Sequence, residues 1–282
     1  MKTIKIAGVP EHFNLPWHLC IEGGEFEEAG IDLQWTDVPE GTGKLCQMLR
    51  DGETDMAIIL TEGIIKDILN GNPSKIAQVF VQSPLIWGIH VGAQSPYQKI
   101  EDLKDTKAAI SRYGSGSHLM AFVNAKNQGW NPAELKFEVI NTLDGAVEAL
   151  TNGAADYFMW ERFMTKPIVD KGIFRRLGDC PTPWVSFVVA VRNEVLEKHP
   201  QTIKSVLRIV NQTTAEFKHI PSIDRTLSER YDQKTEDIKE WLSLTRWSQK
   251  NLDEKMLNNI QNQLLELNIT NKKGTFADIV AI

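Results

Sequence analysis

Apolar residues along this chain form short runs of strand type, separated by segments in which they recur at helical spacing. Lys2 to Gly8 alternates with Ile4 and Ile6 on one face, Ile31 to Trp35 also alternates, and Asp55 to Leu60 contains five consecutive apolar residues. A turn containing glycine or polar residues follows each of these runs. Strand and helix therefore alternate, which predicts an α/β layer with helices on the faces of a sheet.

The helices predicted between these strands are marked by apolar spacing and by glycine at their ends. One runs from Trp17 to about Phe26, and a second carries Leu45, Met48 and Leu49 and ends at Asp51-Gly52. A third carries Ile64, Ile65 and Ile68, and a further strand follows from Lys75 to Val81.

The same alternation of strands and helices begins again in the middle of the chain. Further strands are predicted at Trp87–Val91, Lys107–Ser111, Leu135–Ile140, Asp156–Glu161 and Val185–Val191, the last leading the chain back to the first unit. From Glu194 onwards the pattern changes to helices with polar outer faces and no heptad continuity, which predicts a packing layer rather than a coiled coil.

The stretch from Ile110 to Phe122 joins a strand directly to a helix through Gly114-Ser115-Gly116-Ser117. Glycine lets a ligand approach the backbone, and the first N–H groups of a helix lack internal partners and favour an anion. Two serine hydroxyls and the Arg112 guanidinium would add donors. Serine before a helix is also ordinary capping chemistry. The stretch is thus a candidate anion site with a structural alternative.

Other candidate ligand-binding residues follow the remaining strands, because ligands of open α/β sheets bind outside the carboxyl ends of the strands. His118 lies beside the anion candidate, and Trp17, Trp87 and Trp184 are either ligand contacts or core residues. The complete predicted set is His12, Asn14, Gly41, Thr42, Thr61, Glu62, Arg112, Gly114, Ser115, Gly116, Ser117, His118, Trp160 and Glu161.

The composition of the chain argues against several classes of function. The 282 residues carry a formal net charge of -6 and no long basic run, which argues against nucleic-acid binding. No apolar run is long enough to span a membrane. No signal peptide precedes the first strand, so we expect a cytoplasmic protein, or a periplasmic or lipid-anchored one if a leader was removed.

Catalytic and metal-binding signatures are not apparent in the sequence. Cys20, Cys46 and Cys180 are widely spaced and predict reduced thiols rather than disulfides or a metal site. No HExxH or G-x-S-x-G motif occurs, so we predict no metal, no cofactor and no catalytic residue.

Three segments in order resemble the type 2 periplasmic-binding-protein family, in its aliphatic-sulfonate and thiamine-precursor branch. They are Gly23–Leu33 with Leu49–Ala57, Ser95–Lys107 running into Gly114–Ser117, and Asp144–Asp156. The resemblance extends over roughly the first 200 residues. It implies two Rossmann-like lobes joined by two crossing strands, with C-terminal helices packed on lobe one. Residues 1–85 plus 190–282 would form lobe one and residues 86–189 lobe two, with a ligand cleft between them that closes on binding.

The function implied by the resemblance is binding of a small organic anion, as in substrate-binding proteins of ABC transporters, with an ABC permease as partner if the protein is exported. Sulfonate, carboxylate, phosphate and thiamine-precursor-like ligands remain open. The alternative is a cytosolic enzyme of the same fold in cofactor biosynthesis, using Glu62, Glu161 or a histidine as acid or base. The cysteine-rich motif of the thiamine-precursor synthases is missing from this sequence, so their activity is not transferred.

Overall fold

A computed structural model describes residues 1–281 of the chain. These residues form ten strands, which are, from β1 to β10, Lys2–Gly8, Ile31–Asp37, Met56–Leu60, Ser74–Val81, Ile86–Gly92, Lys107–Ile110, Lys136–Val139, Tyr157–Glu161, Phe174–Pro181 and Phe187–Arg192. They also form thirteen α-helices, which are, from α1 to α13, Leu15–Glu22, Glu25–Glu28, Thr42–Asp51, Thr61–Leu69, Gly116–Asn127, Leu143–Asn152, Lys166–Asp170, Asn193–Lys198, Pro200–Glu216, Ile223–Tyr231, Thr235–Leu244, Glu254–Glu266 and Phe276–Ile279. The alternation of strand and helix predicted from the apolar pattern is confirmed.

The described chain divides into two compact units. Unit 1 comprises Met1–Ser83, Trp184–Leu265 and the residues from Thr270 onwards, and unit 2 comprises Pro84–Pro183 and Glu266–Ile269. The C-terminal helices α8 to α11 belong to unit 1.

The sheet of unit 1 has the order β2-β1-β3-β10-β4. Strands β1, β2 and β3 run parallel, and β10 pairs antiparallel with both β3 and β4. Met56 to Ile59 of the central strand β3 are 0% exposed, as expected for a strand that is buried on both faces. Because β1, β2 and β3 are parallel, their C-terminal ends lie at the same edge of the sheet.

The sheet of unit 2 has the order β7-β6-β8-β5-β9. Strands β6, β7 and β8 are parallel, whereas β5 pairs antiparallel with β8 and β9. Helix α6 packs its alanines and Leu150 on one face of this sheet, against Phe158 and Phe174. Gly145 in α6 is needed for this approach, since a Cβ atom there would lie 2.1 Å from the carbonyl oxygen of Ile140.

One local prediction differs from the structure, and some elements, among them β9 and α10, were not predicted. The single helix predicted from Trp17 to Phe26 is two helices, because Gly23 ends α1 and Gly24 has a positive φ of 74°. Strand β9 was not predicted, since it is an edge strand whose central residues are half-buried or exposed and largely polar. Helix α10 was also not predicted, because it buries only Ile223 and Leu227.

No helix among residues 1–281 is both long and apolar enough to cross a membrane.

The packing of unit 2 predicts a large effect of truncating Ile89, which is 0% exposed and lies in β5 between β8 and β9. We expect Ile89→Ala to lower the free energy of unfolding by about 2–5 kcal/mol, through lost burial and a residual cavity. Urea denaturation followed by circular dichroism would measure it. Ile173→Ala is the control, because this side chain is 37% exposed and its truncation should cost no more than about 1 kcal/mol. Equal losses in both variants would contradict this view of the core.

Candidate functional site

The candidate anion site lies at the edge of unit 2 where the parallel strands end. Ser111 follows β6, Asn141 follows β7, and Glu161 is the last residue of β8. The backbone N–H of Asn141 donates to the carbonyl of Ser111 over 3.1 Å, which continues the pairing of β6 and β7 past their last residues. Strand pairing thus brings these loops together.

Three serines of the loop and first helical turn form a compact hydroxyl network. The Ser111 N–H donates to Ser117 Oγ at 3.0 Å, and Ser117 Oγ lies 3.1 Å from Ser115 Oγ. All three side chains are buried. Ser115 caps α5, because its Oγ accepts from the N–H of His118 at 3.4 Å. The capping alternative considered for this stretch is therefore present in the structure, together with the donors of a possible anion site.

The N-terminus of α5 also carries free backbone donors. Within residues 1–281, the N–H groups of Gly116 and Ser117 make no hydrogen bond to another residue. Gly114 has a positive φ of 81°, which turns the chain into the helix without strain. A twelve-residue helix directs the positive end of its dipole here, so the position favours negative charge.

A buried indole at the same edge adds a further donor. Trp87 lies near the start of β5, opposite Glu161 in the register with β8. It is 5% exposed, and its Nε1 has no partner among the described residues. An N–H group buried without an acceptor costs free energy, so a ligand acceptor would relieve that cost.

The other predicted residues of unit 2 have different environments. Arg112 and Gly114 are exposed, and the Gly114 N–H donates to His118 Nδ1 at 3.1 Å. Glu161 is buried, and its Oε2 accepts from the N–H of Met164 at 2.7 Å. Trp160 is half-buried and stacks on Phe158 with a centroid separation of 5.5 Å.

Glu62 is the central polar group at the corresponding edge of unit 1. It lies in the first turn of α4 directly after β3, and it is 4% exposed. Trp184 Nε1 donates to its Oε2 at 2.8 Å. The preceding residue, Thr61, donates from its N–H and its hydroxyl to the carbonyl of Ser186 at 3.0 and 3.2 Å. The end of β3 is therefore fixed to the segment that leads into β10.

Desolvation raises the pKa of Glu62 from 4.5 to about 7, against the opposing effect of the hydrogen bonds from its own backbone N–H and from Trp184. Burial disfavours the charged carboxylate, and no cation among residues 1–281 offsets this effect. Glu62 therefore exchanges its proton near neutral pH.

The remaining predicted residues of unit 1 lie between β1 and α1 or at the start of α3. His12 and Asn14 are 0% exposed. The His12 ring packs against Trp241 and Tyr231 with centroid separations of 4.7 and 5.3 Å, and burial lowers its pKa to about 4.

Asn14 Nδ2 donates to the carbonyl of Val9 at 2.8 Å, which closes the loop after β1. Gly41 has a positive φ of 77° before α3, and the methyl group of Thr42 packs against Gly63. A Cβ atom at Gly63 would lie 2.3 Å from that methyl group, so this glycine lets the starts of α3 and α4 approach.

Structure thus separates the predicted residues into two sets, each within one unit. The set in unit 2 consists of Arg112, Gly114, Ser115, Gly116, Ser117, His118, Trp160 and Glu161. The set in unit 1 consists of His12, Asn14, Gly41, Thr42, Thr61 and Glu62. Their roles in ligand binding stay predictions. Two features of these sites have no signal in the sequence. The hydrogen bond from Trp184 to Glu62 joins residues that are distant in the chain, and the contact of Tyr113 with His118 depends on the conformation of the loop.

Among the residues that the structure describes, no three His, Cys, Asp or Glu side chains are grouped so that they could hold a metal ion.

Comparison with known proteins shows several similarities. The profile of the family described as Ca3427-like PBP matches residues 87–180. The structure resembles that of the Candida albicans CA3427 gene product, which has the generic periplasmic binding protein fold, at 27% identity and a TM-score of 0.90, covering 100% of this chain and 96% of that one. No match was found among curated protein sequences.

Two further structures share the fold at lower identity. The alkanesulfonate-binding protein SsuA from Xanthomonas axonopodis pv. citri, bound to MOPS, has 14% identity and a TM-score of 0.83, with coverage of 100% and 98%. The ligand-binding component of an ABC-type import system from Staphylococcus aureus, with zinc bound, has 14% identity and a TM-score of 0.78, with coverage of 100% and 97%. The predicted resemblance to the type 2 periplasmic binding proteins, with their two-lobe α/β fold, is confirmed.

The environment of Glu62 predicts a specific pH dependence of stability. Because its pKa is raised in the folded protein, the folded state keeps a proton that the unfolded state loses between pH 4.5 and about 7, so stability falls as the pH rises through this window. Glu62→Gln removes this titration and keeps an oxygen acceptor for Trp184. We expect the stability of the variant relative to wild type to rise by about 3 kcal/mol between pH 4 and pH 8.

Chemical denaturation of both proteins across this pH range would measure the difference. Glu27→Gln, at an exposed carboxylate of α2, is the matched control and should follow the wild-type profile. A constant difference between Glu62→Gln and wild type would contradict the assignment.

Proposed function

We propose that the protein binds a small organic anion at the N-terminus of α5. The carrying observation is the donor set at that position: the free N–H groups of Gly116 and Ser117, beside the buried hydroxyls of Ser111, Ser115 and Ser117. Convergent N–H and O–H groups at the positive end of a helix suit an oxyanion better than a neutral group.

Several anionic groups satisfy this chemistry. Sulfonate, phosphate and carboxylate each present oxygens that accept from backbone and hydroxyl donors. Arg112 is exposed one residue after Ser111, and in this proposal its guanidinium contributes charge to the same site. Trp87 Nε1 supplies a further donor at this edge.

The second part of the proposal concerns unit 1. We infer that the ligand lies in a cleft between the lobe of residues 1–85 plus 190–282 and the lobe of residues 86–189, which closes on it. In that arrangement His12, Asn14, Gly41, Thr42, Thr61 and Glu62 contribute from the first lobe, and Trp160, Glu161 and His118 join the serines from the second. The support is that, within each unit, these residues follow strands that end at one sheet edge.

The fold shared with an alkanesulfonate-binding protein and with a component of an ABC-type import system supports a binding function. If this protein is exported, its partner in the proposal is an ABC permease. The permease would distinguish the closed, ligand-bound form from the open one.

A thermal-shift screen tests the anion site. We expect at least one of methanesulfonate, benzenesulfonate, benzoate, inorganic phosphate and a thiamine-precursor pyrimidine phosphate to raise the melting temperature, since a ligand that binds the folded state stabilises it. Ser115→Ala and Arg112→Ala should each weaken binding by roughly tenfold, the loss expected for one charge-assisted hydrogen bond.

The control for Ser115→Ala is Thr275→Ala, because Thr275 caps α13 in unit 1 by the same side-chain chemistry. Both variants lose a cap, and only Ser115→Ala should lose ligand affinity. Binding that survives in Ser115→Ala and Arg112→Ala alike would place the ligand elsewhere and contradict the proposal.

A second candidate, a cytosolic enzyme of the same fold, is favoured by one observation. Glu62 is a buried carboxyl group at a strand end, and its pKa of about 7 is that of a usable acid or base. Mass spectrometry of the protein incubated with each stabilising compound would detect turnover. A product that forms with wild type but not with Glu62→Gln would establish an enzymatic activity. If every compound is recovered unchanged, the enzyme hypothesis fails and the binding function is retained.

A further inference from the structure

Tyr113 is an unusual surface residue. It is 66% exposed, and among the described residues it is the one aromatic side chain in the group of exposed large apolar residues, with Met1, Val139, Ile173 and Leu244. It lies in the loop between β6 and α5, one residue after Arg112 and two before the cap residue Ser115. An exposed ring at this place has no role in the core of unit 2.

The ring of Tyr113 is held by neighbouring rings. It stands nearly perpendicular to His118, with centroids 5.3 Å apart and an interplanar angle of 78°. It makes a similar contact with Phe137 at 6.1 Å and 81°. His118 itself packs on Phe137 at 4.7 Å and on Phe122 at 5.0 Å. Edge-to-face packing of this kind fixes ring orientation and stabilises each pair.

Backbone contacts fix the same loop. The N–H of Gly114 donates to His118 Nδ1 at 3.1 Å, and the N–H of Ser115 donates to the carbonyl of Arg112 at 3.1 Å. The second bond closes a turn that contains Tyr113, and the first fixes the residue that follows it, so the backbone around Tyr113 is held in place. The ring is thereby pre-organised, which lowers the entropy cost of placing a ligand against it.

Apolar surface continues from Tyr113 along the edge strand of the sheet. Phe137 and Val139 lie two residues apart in β7, so their side chains project to the same side. Val139 is 41% exposed, and Phe137 is half-buried. Tyr113, His118, Phe137 and Val139, here called the aromatic platform, form a partly exposed surface in unit 2.

The platform adjoins the donors proposed to hold the anion. His118 belongs to both, because its ring contacts Tyr113 while its N–H donates to Ser115 Oγ at 3.4 Å. Gly116 and Ser117, which carry the free N–H groups, lie between Tyr113 and His118 in the chain. An anion at these donors would therefore extend its organic part within reach of the Tyr113 ring.

We propose that Tyr113 is a specificity-determining residue, and that the preferred ligands are anions whose acidic group is attached directly to an aromatic ring. This inference rests on the proposed anion site at the N-terminus of α5. The donors bind the acidic group, and the platform contacts the ring face to edge. Ligands with a methyl or other small aliphatic group have the same acidic group but leave the platform in water.

Isothermal titration calorimetry with benzenesulfonate and methanesulfonate tests the inference, because the two probes share the sulfonate and differ in the ring. We expect wild type to bind benzenesulfonate more tightly. Tyr113→Ala should weaken benzenesulfonate binding by roughly two- to twelvefold, the factor that corresponds to one aromatic contact, and leave methanesulfonate binding unchanged. Tyr113→Phe keeps the ring and should retain the wild-type preference.

Ile173→Ala is the matched control, since it truncates another exposed apolar residue of unit 2 beside β9, at the opposite edge of the sheet. It should bind both probes as wild type does. Equal affinity of wild type for the two probes would overturn this inference while leaving the anion site in place. An equal loss of both probes in Tyr113→Ala would also overturn it, because Tyr113 would then act on the loop rather than on the ring. If wild type binds no anion at all, the proposed function itself fails.

Discussion

Backbone pairing between parallel strands is the constraint on which the candidate site depends. In unit 2, β6, β7 and β8 run in one direction, so the three loops that follow them meet at one sheet edge. Hydrogen bonds from Ile140 and Asn141 to the carbonyls of Ile110 and Ser111 continue this pairing into the loops. The serine network and the start of α5 are held in place by the sheet, because Ser117 Oγ accepts from the backbone of Ser111. Unit 1 follows the same geometry with β1, β2 and β3.

The two edges differ in electrostatic character. At the edge of unit 2, free N–H groups and hydroxyls surround the N-terminus of α5, and the helix dipole adds positive potential. At the edge of unit 1, burial raises the pKa of Glu62 to about 7, and an indole N–H is its partner. A buried carboxyl with a pKa of about 7 is about half protonated at that pH, so it donates a hydrogen bond in one form and accepts in the other. The two edges therefore suit different chemical groups: the edge of unit 2 suits an acidic group, and the edge of unit 1 suits a hydrogen-bonding group.

Much of the fold was predictable, and the errors have identifiable physical causes. Strands such as β3 and β10 are continuous apolar runs because they are buried on both faces, and this pattern is visible without a structure. Strand β9 escaped prediction because its central residues are half-buried or exposed and largely polar, and its strand partner is β5 at the edge of the sheet. The prediction of one helix from Trp17 to Phe26 did not allow for the glycine pair Gly23-Gly24. Gly24 has a positive φ, and a new helix starts after it. Local sequence shows the glycine pair, but packing decides whether it breaks a helix.

For the candidate site, the sequence alone determined which chemical groups follow which strands. The spacing of strand, Gly-Ser-Gly-Ser and helix places donors at the N-terminus of α5, since helix geometry leaves its first N–H groups unpaired. Only tertiary structure decided how each group is surrounded. Burial raises the pKa of Glu62 against the opposing hydrogen bond from Trp184, which lies 122 positions away. Tyr113 is exposed because rings from α5 and β7 support it from one side. Desolvation and ring packing depend on atoms brought together from distant parts of the chain, and no local pattern encodes them.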